Sequence, residues 1–234
     1  MFTGLGSVTG FGMFSPAIPD LPAVATPILA EFGWAVVVGL VAAPLCVGLR
    51  LLALGLAARV RVRPVLATMM LGLVIAGLAI GYAQATGHGP SDVLFSGEVQ
   101  LPGPIENASR YSVGALLLLL LAKGLGYVAA LSAFRGGPTF PALFLGAAGG
   151  LALSHLPGLP MVPAIAMGMG AMTAGILRLP MSAVLITTLF LGSDGFPVIP
   201  LTIVAVVAYV GQLWLTPAPT PPAPAAAPAP NASS

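Results

Sequence analysis

The chain has 234 residues, of which 58% are hydrophobic and only 6% are charged. A soluble domain needs about a quarter of its residues charged to cover its surface, so this composition excludes a soluble protein and predicts an all-helical integral membrane protein. The net charge of +2 is too small to indicate a nucleic-acid partner. Cys46 is the only cysteine, which excludes a disulfide framework, and the sequence contains no metal-ligand pattern and no cofactor motif.

The first part of the chain is irregular and then becomes apolar. Residues 1–28 are rich in Gly and Pro and predict an irregular lead-in, followed by one transmembrane domain over residues 29–215. The first apolar span of that domain runs from about residue 33 to residue 57. Pro44 and Arg50 lie inside this span and are predicted to interrupt it.

The charges between the first spans predict their orientation. Arginines occupy positions 59, 61 and 63, and the second apolar span follows over residues 65–82. Residues 86–110 are polar and contain more acidic than basic side chains. Short loops rich in arginine stay in the cytoplasm, so residues 58–64 are predicted to lie inside and residues 86–110 outside.

The third apolar span, over residues 112–134, contains a lysine near its middle, Lys123. A charge inside a membrane span can face a water-filled path, because buried membrane charges often mark function. Alternatively, its long side chain extends to the membrane interface. The sequence favours neither interpretation.

Three shorter apolar stretches follow, over residues 140–154, 162–177 and 180–192. A straight membrane crossing needs about 20 residues, so these stretches are predicted to be broken or re-entrant helices. Such helices are tolerated where protein or a watery cavity satisfies their free backbone groups, and in transporters they hold the substrate.

The last part of the chain contains one more span and a tail. The final apolar span covers residues 198–215. Residues 216–234 consist mainly of Pro and Ala without any charge or aromatic ring. Such a segment cannot bury enough surface to fold, so it is predicted to be disordered.

The most informative stretch runs from Arg135 to Gly150 and reads RGGPTFPALFLGAAGG. It predicts a Gly-Gly hinge, a proline in the first turn of a helix, and a short apolar helix. The free N–H groups at a helix start carry a partial positive charge and can hold a dehydrated anion. The alternative is a helix break that only packs against its neighbours through its glycines, which are Gly146, Gly149 and Gly150.

Two segments of the sequence resemble one family of membrane proteins. The run Gly136-Gly-Pro-Thr-Phe-Pro141 resembles the second-half signature of the CLC chloride channel and transporter family, a Gly-x-Phe-x-Pro turn that enters a helix. The stretch from Gly168 to Ser182 is similar to the same family and includes its Arg-x-Pro link between two short helices. The resemblance implies an inverted repeat around a chloride path, and dimers with one pore in each subunit.

The turn departs from the family pattern. Thr139 holds the family's Phe position, Phe140 comes one residue later, and Pro138 removes one backbone N–H. The family's late tyrosine, which faces the anion, has no counterpart, because Tyr209 lies inside the preceding span. The resemblance therefore implies the following residues: Gly136, Gly137, Thr139 and Phe140 for anion binding, Pro138 and Pro141 for the turn, and Lys123 and Arg135 for electrostatic attraction. Arg178, in the Arg-x-Pro link, is interpreted as an anchor at the cytoplasmic edge rather than as an anion contact.

The first-half motifs of the family, Gly-Ser-Gly-Ile-Pro and Gly-Arg-Glu-Gly-Pro with its gating glutamate, do not occur among the 234 residues. We therefore expect a partial chain, the second of two inverted halves, that passes chloride or a similar small anion through the cell membrane as a multi-pass protein. Its expected partners are lipid, a second copy of itself, or the missing first-half segment. The first alternative is a membrane subunit that inserts and packs but does not conduct. An intramembrane enzyme is disfavoured, because the spans contain no Asp pair, no His–Glu cluster and no Ser–His or Ser–Lys arrangement.

Overall fold

The computed structural model describes residues 26–94, 102–134 and 136–215, and this part of the chain is helical without any strand. The α-helices, in chain order, are α1 Leu29–Val60, α2 Pro64–Thr86, α3 Pro102–Glu106, α4 Val113–Ala133, α5 Thr139–Leu153, α6 Met161–Leu177, α7 Pro180–Leu191 and α8 Ile199–Leu215. Short 3₁₀ turns lie at Pro90–Asp92, Ala108–Arg110 and Ser193–Val198. The prediction of an all-helical membrane protein is confirmed. Residues 1–25 of the predicted lead-in over residues 1–28, and the tail from residue 216, lie outside the described residues.

Three helices, α1, α2 and α4, are long and apolar enough to cross a membrane. The helices α5, α6 and α7 are shorter, with 15, 17 and 12 residues, and they begin and end within one residue of the three predicted short stretches. This agreement follows from local signals, because Pro and Gly separate these stretches in the sequence.

The predicted interruption of the first span is wrong. The helix α1 runs without a break through Pro44 and Arg50 over 32 residues. Proline removes one backbone hydrogen bond, but the other N–H groups of the helix still bond within the helix. Both side chains are exposed, so neither one forces the helix to end.

The helix α6 is the centre of the bundle. Every residue from Val162 to Ala174 is buried. A helix that is buried all round and packed on every side must approach its neighbours closely, and small residues permit this approach. A Cβ atom added to Gly170 would clash with Thr202 of α8, and one added to Gly175 would clash with the Cys46 thiol of α1.

The closest contact of α6 is with α5, and it joins backbone to backbone. A Cβ atom at Gly146 would clash with the carbonyl of Gly168, and a Cβ atom at Gly150 would clash with the carbonyl of Ala164. The paired residue numbers rise along α5 and fall along α6, so the two helices are antiparallel. Gly149 has only the Leu120 side chain near its open face, at 3.9 Å, and does not take part in this contact.

The exchange Gly146→Ala is expected to lower the stability of the protein, because the added methyl group meets backbone atoms that cannot rotate away. Overpacking of this kind costs about 1–3 kcal/mol or more. The change should appear as a lower melting temperature of the purified protein in detergent. The matched control is Gly72→Ala in α2, where no atom lies within 4 Å of the added Cβ. An equal loss of stability in both variants would contradict the importance of the α5–α6 contact.

Candidate functional site

Two backbone N–H groups at the start of α5 have no hydrogen-bond acceptor among the residues that the structure describes. The helix begins at Thr139, after Pro138, whose φ of −80° and ψ of −16° are already helical. The N–H of Ala142 bonds to the Pro138 carbonyl at 3.2 Å, and Pro141 has no N–H. Among the described residues, no acceptor bonds to the N–H of Thr139 or Phe140. The first turn therefore presents these two donors and the positive end of the helix dipole.

The other predicted turn residues surround this start. Gly136 and Gly137 are exposed, and a Cβ atom added to either one would have no other atom within 4 Å, so no close contact requires glycine there. The Phe140 ring packs edge-on against Phe190 of α7, with 6.1 Å between the ring centroids. Arg135 lies outside the described residues.

A cavity of about 280 Å³ lies beside the Gly-Gly turn, and we call it the lysine cavity. Among the predicted site residues, it is lined by Lys123, Gly136, Gly137 and Pro141. Its remaining wall comes from α2, α4 and the segment after α2, through Ile75, Val93, Leu94, Gly126, Tyr127, Ala130 and Leu131. The structure thus brings the lysine and the turn to one cavity, although about a dozen residues separate them in the chain.

The Lys123 side chain points into the protein and does not extend to the surface, because only 3% of the residue is exposed. Its ammonium donates hydrogen bonds to the carbonyls of Asp92 and Leu94, both at 2.9 Å. It also lies over the ring of Phe144, 4.4 Å from the centroid. An ammonium has three donors, so one N–H remains for the cavity that Lys123 lines.

The segment after α2 is fixed by a cluster of polar side chains that sequence reasoning missed. The Tyr111 hydroxyl donates to the Asp92 carboxylate at 2.8 Å. The His88 ring stacks on the Tyr111 ring, with 3.9 Å between the centroids and 8° between the planes. Burial and the neighbouring Asp92 carboxylate raise the pKa of Tyr111, so its hydroxyl stays protonated and remains the donor. Two hydrogen bonds thus hold Asp92: Tyr111 donates to its carboxylate, and Lys123 donates to its backbone carbonyl.

A second cavity, of about 340 Å³, has Pro138 of the turn in its lining, and we call it the arginine cavity. Its polar lining comes from Arg50, Arg178, Tyr127 and Tyr209, and Pro138 belongs to its wall. Tyr127 and Leu131 of α4 line both cavities, so the two spaces are next to the same part of α4. The remaining lining residues are Cys46, Val47, Leu49, Gly175 and Ile176.

The sequence of one protein family matches this chain. The family is described as voltage gated chloride channel, and the match covers residues 3–212, which is most of the 234 residues. The chain belongs to this family. No curated protein and no solved structure matches it.

Membership in the chloride channel family confirms the resemblance seen in the sequence. It makes the chain a member of a channel and transporter family rather than of an enzyme family, and it gives chloride transport in a membrane as the general function. Two parts of this family member were not found from the sequence. Arg50 is predicted only to interrupt a span, and no role is predicted for Tyr127. The sequence does not indicate that the two residues line a common cavity, because they belong to different helices.

Replacing Lys123 by Met is expected to loosen the segment after α2, because the exchange keeps the apolar stem but removes the donors to two partly buried carbonyls. A buried polar group that loses its partner costs about 1–3 kcal/mol. We expect a lower melting temperature and faster amide hydrogen exchange over residues 88–94. The exposed Arg61 provides the control, and Arg61→Met should change neither measurement. Unchanged exchange over residues 88–94 in the Lys123 variant would contradict this role.

Proposed function

We propose that this chloride channel family member passes chloride, or a similar small anion, along the start of α5. The observation that carries the proposal is the pair of N–H donors of Thr139 and Phe140, which have no described acceptor, in the turn whose Gly137 and Pro141 line the lysine cavity. A helix start attracts an anion without a full positive charge, so the anion can enter and also leave, as conduction requires. The Thr139 hydroxyl, which bonds to no described residue, adds a third possible donor.

The lysine cavity supports the same proposal from the side of the Gly-Gly turn. Lys123, Gly136 and Gly137 line one space, so an anion there is close to an ammonium group and to the backbone of the turn. The carbonyl oxygens of Asp92 and Leu94 offset part of the ammonium charge, which weakens the attraction and favours release of the anion.

The wider arrangement is also a proposal. The chain is inserted in the cell membrane as a multi-pass protein, with α5, α6 and α7 as the broken helices of one inverted half, and it acts as a homodimer or together with a segment that carries the first-half motifs. The support is the absence of both first-half motifs, and of the gating glutamate, from the 234 residues. The same absence favours one alternative, a membrane subunit that packs without conducting.

Anion flux through liposomes distinguishes these functions. The purified chain alone is reconstituted with chloride inside, and the release of chloride is recorded after addition of a potassium ionophore. Flux above that of empty liposomes supports autonomous transport. If flux is absent from the chain alone and appears when it is reconstituted with a homologous first-half segment, the partner version of the proposal holds. No flux under either condition would leave the non-conducting subunit as the function.

The exchanges Thr139→Asp and Thr139→Asn provide a matched test of the site. The two side chains have nearly the same size, and a carboxylate at a helix start stabilises the helix, so both variants should fold. The carboxylate occupies the free donors and repels an anion 4 Å away by about 4 kcal/mol at an effective dielectric constant of 20. We therefore expect Thr139→Asp to lower the flux at least roughly tenfold and Thr139→Asn to retain most of it. Equal flux in the two variants would place the path elsewhere.

A further inference from the structure

The arginine cavity is lined by two arginines that have no role in the proposed anion path. Arg50 comes from the second half of α1 and Arg178 from the link between α6 and α7, and both line this cavity. No described acidic side chain lines the cavity, and neither guanidinium forms a salt bridge or hydrogen bond with a residue that the structure describes. Two cationic side chains from distant parts of the chain thus line one cavity, and none of the described residues in its lining is acidic.

The backbone of Arg178 is held in an unfavourable conformation. Its φ is 59°, and no other non-glycine residue has a positive φ in the described ranges 26–94, 102–134 and 136–215. Glycine normally takes this position at the end of a helix, because a side chain strains the left-handed conformation. Strain of this kind persists where the side chain itself has a use. Arg178 is also one of the residues that line the arginine cavity.

A tyrosine hydroxyl completes the polar lining. Tyr127 is only 6% exposed, lines the cavity and makes no hydrogen bond to a described residue. The Tyr209 hydroxyl, by contrast, already donates to the Gly175 carbonyl at 3.2 Å. The Tyr127 hydroxyl is a donor on the cavity wall, and a phosphate oxygen in the cavity would accept a hydrogen bond from it.

The surroundings of the two arginines are apolar and exposed. Leu51, next to Arg50, is 62% exposed, and Leu179 and Met181, next to Arg178, are 56% and 81% exposed. In a membrane protein, such side chains face lipid. The two arginines therefore lie close to apolar side chains that lipid acyl chains would contact.

From these observations we propose that the arginine cavity binds the phosphate group of an anionic phospholipid. The planar guanidinium fork matches phosphate oxygens in two parallel hydrogen bonds, and Tyr127 can donate a further bond. The volume of about 340 Å³ is far larger than one water-sized ion, at about 30 Å³, and accommodates a phosphate with its glycerol. Basic pockets between transmembrane helices on the cytoplasmic side are suited to such head groups. This site is independent of whether the chain conducts.

Binding can be tested on the purified full chain in detergent. Phosphatidylglycerol is added, and native mass spectrometry counts the lipids retained while thermal unfolding is recorded. The comparison additives are phosphatidylcholine with the same acyl chains, which has no net charge, and inorganic phosphate, which has no acyl chains. We expect one phosphatidylglycerol to be retained in preference to phosphatidylcholine and to raise the melting temperature. Equal effects of phosphatidylcholine would overturn the choice of an anionic lipid, and equal effects of inorganic phosphate would show that the site takes a free anion instead.

The variants locate the lipid. The double exchange Arg50→Gln and Arg178→Gln should weaken phosphatidylglycerol binding at least roughly tenfold, because it removes the charge-assisted hydrogen bonds. The matched control is Arg61→Gln and Arg63→Gln, which removes the same charge outside the cavity and should retain the lipid. If the first double variant does not fold, Tyr127→Phe changes only one hydroxyl and should weaken retention, whereas Tyr209→Phe should not. Equal retention in Tyr127→Phe and Tyr209→Phe, or loss in the control, would refute the site.

Discussion

The backbone contact between α5 and α6 positions the start of α5 and the link after α6, which are the parts of the two helices next to the proposed binding sites. Gly146 and Gly168 bring two backbones together without any side chain between them, and α6 is in turn enclosed by the rest of the bundle. Inside lipid, helices gain little from the hydrophobic effect when they associate, so close packing must hold them. The glycines in the middle of α5 therefore have a structural role, and the start of α5 remains available to bind a ligand.

The chemistry of that start depends on two prolines. Pro138 and Pro141 each remove an N–H, and together they restrict the free donors of the first turn to Thr139 and Phe140. The surrounding charges are arranged differently on the two sides. Backbone carbonyls partly offset the charge of Lys123, so the lysine cavity suits an anion that binds and then leaves. Arg50 and Arg178 have no described partner, so the arginine cavity suits an anion that stays bound.

The sequence predicts the helices well and the cavities poorly. The bounds of α5, α6 and α7 could be predicted because Pro and Gly act within a few residues. The continuity of α1 through Pro44 could not, because proline predicts a break only when the rest of the helix has no support. The arginine cavity could not be predicted either, since Arg50 and Arg178 are far apart in the chain and only tertiary packing brings them together. Lys123 was found because a charge in a long apolar span is conspicuous, but its carbonyl partners lie in a segment without a recognisable pattern.

The contact of α5 with α6 also has a mechanical consequence. Side chains at an interface can change rotamer and let two helices slide, but backbone atoms in direct contact have no rotamers to exchange. The two helices must therefore move as one rigid body. A conformational opening therefore has to change the segments that flank this helix pair, namely the Gly136-Gly137 turn before α5 and the link after Leu177. The two proposed binding sites lie next to these segments.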